Sequence, residues 1–299
     1  MIYKNSVRVL LNNFSVVWKE LLYLLLTLVV VGLLTSALAL PVVNMLTNAG
    51  WIQECSSLIE TVYTSPKDFS TAFTSVATNL LLLLKNNFAS LWLYYLLIIF
   101  VVIFVPLVMC QMSYYTTSEV IEGKMSSITR LGFVNTFIAR FYKSVKFAFV
   151  KIIASIPFYA GYALAVFVYV LVAKNWLVSI VLFPILIMLL VFVASLKCTI
   201  FSCFTGEFIY NKKRSAWKCL FKSIKKVGSH FGSILSNAVC VCLTFVTLNI
   251  LIGIFTLGAG LLVSVPASIV WICSFNLTTY FVIDKKRFYV SENMIIDPN

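Results

Sequence analysis

The chain predicts an all-α fold: a polytopic integral membrane protein with six transmembrane helices and basic amphipathic helices at the interface. Three observations predict it. Only 11% of the 299 residues are charged, against about 25% in soluble domains. The mean hydropathy is +1.00, and the apolar residues lie in blocks too long for a soluble core. The 23 Lys and Arg residues, which set a formal net charge of +13, collect in alternate gaps between those blocks.

A bilayer-spanning helix needs about 20 apolar residues. No charge occurs from Leu21 to Gln53, and 21–46 is the first span. The second is 92–112. The third and fourth, 152–173 and 176–196, turn tightly at Lys174-Asn175. From Phe231 to Ile283 the chain runs 53 residues without a charge, or about 80 Å of helix. That is too long for one crossing. Gly258-Ala259-Gly260 is the natural break, and the last two spans are 233–257 and 261–283.

Between the first two spans lies the one sizeable outer loop, 47–88. Its first half is polar and contains Ser65-Pro66, a turn signal. Its second half, 69–84, offers only 16 uncharged residues between Asp68 and Lys85. It is expected to lie on the outer leaflet rather than to span. The whole chain reads as a single membrane domain.

Orientation follows from the basic residues. With the N-terminus inside, segments 1–20, 114–151, 197–230 and 284–299 are internal and hold 20 of the 23 Lys and Arg, leaving Lys67, Lys85 and Lys174 outside. Both termini are therefore expected to be cytoplasmic. A competing reading takes Ala37-Leu38-Ala39 as a signal-peptidase site, which would leave five spans. The apolar run continues through Pro41-Val42-Val43, which favours retention.

Three internal segments share one design, a basic amphipathic helix leading into a span: 3–20, 128–151 and 215–231. In the third, Trp217, Leu220, Phe221, Ile224, Val227 and Phe231 recur at helical spacing and form one apolar stripe. Lys218, Lys222, Lys225 and Lys226 lie off it and are a candidate face for anionic inner-leaflet lipids. Ser215 follows the charged turn 211–214 as an expected N-cap. The plainer reading is that these lysines set orientation and solvate a helix face.

Two stretches echo each other. Asn12-Asn13-Phe14 and Asn86-Asn87-Phe88 are each followed, three residues later, by Trp18 and Trp92. The echo reads either as an inverted repeat or as the ordinary preference of Trp for interfaces.

The segment from Ala216-Trp217-Lys218 through Lys225-Lys226-Val227-Gly228, with the tail Thr278-Thr279-Tyr280-Phe281 and Lys285-Lys286-Arg287-Phe288-Tyr289-Val290, resembles poorly characterised bacterial six-span membrane families. These include the membrane domain attached to some glycerophosphodiester phosphodiesterases. The resemblance covers about the C-terminal half. It implies a fold and a bacterial plasma membrane. The 299 residues contain no soluble phosphodiesterase domain, so it carries over no catalytic residue.

Chemistry is sparsely provided. His230 is the single histidine, which excludes a histidine-based metal site. The ten carboxylates (Glu20, Glu54, Glu60, Asp68, Glu119, Glu122, Glu207, Asp284, Glu292 and Asp297) are scattered, none in the middle of an apolar block. No nucleotide loop, catalytic triad or HExxH occurs. Seven of the eight cysteines fall in or beside apolar segments, where cysteine packs as a small hydrophobe. Cys240 and Cys242 point about 200° apart on a helix. No cofactor, no metal and no nucleic-acid partner are expected. Gly228 and Gly232, and Gly161 with Ala165, have close-packing spacing.

Five prolines, Pro41, Pro106, Pro157, Pro184 and Pro266, fall within spans as expected helix kinks. Lys151, Lys197 and Glu207 sit toward the inner ends of the third and fourth spans. They read as snorkelling side chains or as a polar tie or gate, with Lys151 facing Glu207. The expected function is that of a non-enzymatic multi-pass protein acting through lipids or a membrane-protein partner. The alternative is a small-molecule transporter or permease subunit, which would need a polar cavity near Pro106, Pro157 and Pro184.

Overall fold

A computed structural model describes residues 2–64, 68–127, 131–173, 176–211, 215–291 and 294–298. The chain forms α1 (Ile2–Asn12), α2 (Phe14–Asn48), α3 (Trp51–Thr64), α4 (Phe69–Asn86), α5 (Phe88–Ser127) and α6 (Phe133–Ala139). There follow α7 (Phe141–Val172), α8 (Trp176–Phe201), α9 (Phe204–Tyr210), α10 (Ala216–Gly228), α11 (Phe231–Phe255) and α12 (Leu261–Ile283). A short antiparallel pair, β1 (Phe288–Ser291) and β2 (Met294–Ile296), aligns Phe288 with Ile296 and Tyr289 with Ile295.

Six helices among the described residues are long and apolar enough to cross a membrane, and each contains or nearly coincides with an expected span. The protein is an all-α polytopic membrane protein. Most of these helices outrun the hydrocarbon. α5 continues from the expected end at Met112 to Ser127, about 22 Å further at 1.5 Å per residue. The expected turns at Lys174-Asn175 and Ser65-Pro66 lie outside the described residues.

Two compact units divide the chain: Met1–Leu25 with Val108–Asn299, and Leu26–Leu107. In the second unit the expected outer loop is a helical hairpin, α3 against α4. Trp51 Nε1 donates to Val76 O at 3.1 Å and Asn79 Nδ2 to Glu54 Oε2 at 3.1 Å.

In the first unit α12 is the core helix. Its inner half is buried, with Trp271, Phe275, Leu277, Tyr280 and Phe281 among its apolar side chains and Ser274, Asn276, Thr278 and Thr279 among its polar ones. α1 lies against it, with Trp271 Nε1 donating to Ser6 Oγ at 3.1 Å. Gly258, at φ +90°, makes the turn between α11 and α12 that the sequence predicts. Phe147 and Phe204 stack at 4.9 Å and bind α7 to α9.

The basic segments are more broken than expected. Segment 3–20 divides at Asn13, and 128–151 divides at Arg140 between α6 and α7; residues 128–130 are not described. Both halves of the Asn-Asn-Phe echo prove to be helix junctions. Asn13 Nδ2 donates to Val9 O at 2.8 Å, and Asn87 Nδ2 to Leu83 O at 3.0 Å. Each asparagine takes a carbonyl four residues back, as local side-chain bonds do where they compete with the ladder, and a new helix starts at the next phenylalanine.

Candidate functional site

The chemistry of α10 begins in its spacing. Ala216, Cys219, Leu220, Ser223 and Val227 form a buried face. Trp217, Phe221 and Ile224 do not join it. They are 39%, 66% and 41% exposed and make a second, outward apolar ridge. The single apolar stripe of the sequence analysis is thus two faces, because the bundle takes Leu220 and Val227 and leaves the larger rings outside. Ser215 occupies the N-cap position, but its side chain makes no capping hydrogen bond.

The four lysines divide as well. Lys218 and Lys225 are exposed and make no ion pair among the described residues. Lys222 and Lys226 turn to the other flank, where Glu207 of α9 is completely buried. Lys222 Nζ lies 2.9 Å from Glu207 Oε2, and Lys226 bridges Glu207 and Asp284. Asn211 Nδ2 donates to Glu207 Oε2 at 2.6 Å. Lys286 closes the chain 3.3 Å from Asp284 and 4.1 Å above the Tyr210 ring. A carboxylate this buried costs several kcal/mol in lost hydration unless it is paired, and two of the four lysines provide that pairing.

Gly206 permits the arrangement: a Cβ there would overlap the Tyr280 ring, so α9 approaches α12 only with glycine at that position. Burial works against the Lys226 ammonium, yet its bonds to Asp284 and Glu207 prevail and hold its pKa above the ordinary lysine value. Burial likewise opposes the Asp284 carboxylate, and Lys226, Tyr280 and Lys286 together hold its pKa below the ordinary one. Alongside, Arg140 at the α6–α7 break pairs with Glu119 at 3.1 Å, and Tyr210 Oη donates to Glu122 at 2.5 Å.

Lys151 does not face Glu207. Its ammonium sits 3.2 Å from the centre of the Tyr114 ring and 5.3 Å from that of Phe147. Lys197 lies 4.2 Å over Tyr159. Both border a cavity of about 560 Å³ in the first unit. The expected three-residue tie is therefore two separate features, a paired Glu207 and two lysines turned into the bundle.

All five prolines lie inside helices that continue past them. None lines the cavity, though Cys110, Ile187 and Ile269, each within about one turn of a proline, do. Open space surrounds Gly228 and Gly232, so neither is a packing contact; Gly161 meets Val193 at ordinary distance.

Sequence reasoning missed Glu20. It is fully buried between α2 and α5, where Ser113 and Thr117 donate to its two oxygens, the latter at 2.8 Å. The signal was available in the Ser113–Ser118 hydroxyl-rich stretch that follows the second span. No group of three or more His, Cys, Asp or Glu among the described residues could hold a metal ion. No family model, curated protein or solved structure matches the chain.

Proposed function

We propose that this is a non-enzymatic multi-pass protein of a bacterial plasma membrane, with both termini cytoplasmic, that acts through inner-leaflet lipids or a membrane-protein partner. The observation that carries this reading is the outward surface of α10, an apolar ridge of Trp217, Phe221 and Ile224 beside Lys218 and Lys225, which have no ion-pair partner among the described residues. An amphipathic helix of this kind seats its rings at the acyl boundary and its ammonium groups among anionic headgroups. At about 1 kcal/mol per basic residue near an anionic surface, these two lysines contribute about 2 kcal/mol. Lys212, Lys213 and Arg214, next in sequence, add to the positive charge. The resemblance of 216–228, 278–281 and 285–290 to the six-span families supports the same placement.

The test is native mass spectrometry of the intact protein, gently extracted with its lipids. Lys218→Gln/Lys225→Gln should lose retained phosphatidylglycerol while keeping its melting temperature. Undiminished retention would sink the lipid reading, and a stoichiometric second polypeptide would move it to that partner. Orientation is checked by labelling Cys55 with a membrane-impermeant thiol reagent in intact cells, where reaction is expected. Labelling only after permeabilisation would reverse the topology.

A second reading, carriage of a small molecule, is favoured by the cavity beside Lys151 and Lys197. Its test is uptake or counterflow in proteoliposomes.

A further inference from the structure

The cavity is polar at one end and apolar at the other. Lys151 and Lys197 both line it, together with Tyr114 and Asn276, whose Nδ2 donates to the Tyr114 hydroxyl. The opposite end is walled by side chains such as Ile187, Val246 and Ile269. Ile187 and Lys197 are ten residues apart on one helix, which separates the two ends by about 15 Å.

The polar end is short of negative charge. Among the described residues no carboxylate lines the cavity. Lys151 is only 8% exposed, and neither lysine has an ion-pair partner among the described residues. What they have instead are ring faces, Tyr114 and Phe147 for one and Tyr159 for the other. Aromatic faces attract a cation but carry no net charge. Two lysines without a counter-charge inside a membrane bundle are costly to keep protonated, and such residues face a cavity or a partner. An incoming anion would offset that cost. The volume falls in the range of small-ligand sites; it accommodates one chain and not a whole two-chain phospholipid.

We propose that this cavity binds an anionic single-chain amphiphile, its carboxylate or phosphate head between Lys151 and Lys197 and its chain along the aliphatic wall toward Ile187. The inference names the ligand class for the second reading above and rests on it only for the choice of site. It concerns occupancy, and it stands or falls separately from movement across the membrane, which the proteoliposome assay decides.

The experiment uses the full chain in neutral phosphatidylcholine nanodiscs, photolabelled with a fatty acid carrying a diazirine at the chain end. Label is expected in 187–191, 245–246 and 269–272, at the chain end, and not at Lys197 or Asn276. Laurate or dodecyl phosphate should compete it away, whereas dodecanol and dodecyltrimethylammonium should not. Whichever anion competes better identifies the head group. Lys151→Gln/Lys197→Gln should lower labelling about tenfold or more, the scale of losing a charged partner in a desolvated site. Its melting temperature should stay level or rise, since two unpaired charges leave the interior. Equal competition by dodecanol, or undiminished labelling in that variant, would overturn the proposal. Should the double variant fail to fold, Lys151→Arg/Lys197→Arg must keep the labelling, and the laurate–dodecanol contrast on the wild-type protein decides independently.

Discussion

Lys222 Nζ stands 2.9 Å from Oε2 of Glu207, a carboxylate with no exposed surface on a helix of only seven residues. The two sides of this pair are not equivalent. If Glu207 becomes Gln, both lysines, which are partly exposed, can turn to water. If Lys222 and Lys226 become Gln, a buried carboxylate is stranded. Lys222→Gln/Lys226→Gln should therefore be the more damaging change, costing about 3–5 kcal/mol. Glu207→Gln should cost about 1–2 kcal/mol, the loss of hydrogen bonds to a charged group. Thermal unfolding in a mild detergent measures the order, and the reverse order would refute the pairing.

The Lys226–Asp284 contact sets the pH limits of that end of the bundle. Asp284 has its folded pKa lowered, so its contribution is present above the unfolded value and is lost as pH falls through the folded one. Lys226 has its folded pKa raised, so its contribution is full below the unfolded value and is lost as pH rises through the folded one. The contact's own contribution, read as the difference in melting temperature between the wild type and Asp284→Asn, should be level through neutral pH, decline below about pH 4 and decline again above about pH 10.5. In Asp284→Asn the acid decline should shrink.

Glu20 should tolerate Gln and reject Leu. Ser113 and Thr117 each donate to one of its oxygens, and an amide can keep one bond and re-form the other with the hydroxyl as acceptor. A leucine leaves two buried hydroxyls without a partner, at about 1–3 kcal/mol. Melting curves of Glu20→Gln, Glu20→Leu and Glu20→Leu/Ser113→Ala/Thr117→Ala separate these outcomes. Partial recovery in the triple variant is expected.

Gly206→Ala should destabilise by about 1–3 kcal/mol, the cost of overpacking, because the added methyl meets the Tyr280 ring. Tyr280→Leu should recover part of that loss, while Gly232→Ala, in open space, should leave the melting temperature unchanged.

Spans, their number and the break at Gly258 were legible in the amino-acid sequence, because length and apolarity belong to contiguous residues and each helix closes its own hydrogen bonds. The Asn-Asn-Phe echo was legible as text, but its meaning as a pair of helix junctions was not. It depends on the two amides bonding backward to Val9 and Leu83. The lysines of α10 were visible as a set; that two of them pair with Glu207 and two have no ion-pair partner among the described residues was hidden, since it depends on where α9 places Glu207.

Local chemistry by itself determined that this chain is a membrane protein with six spanning helices and its basic residues gathered in alternate gaps. Tertiary structure alone decided that Glu20 is buried under two hydroxyls more than 90 residues away, that Glu207 takes Lys222 and Lys226 rather than Lys151, and that Lys151 and Lys197 border one cavity. The physical reason is range. Hydropathy and helix formation are satisfied within about one turn of each residue, whereas a buried charge is neutralised by whatever distant group the packing of apolar faces brings beside it.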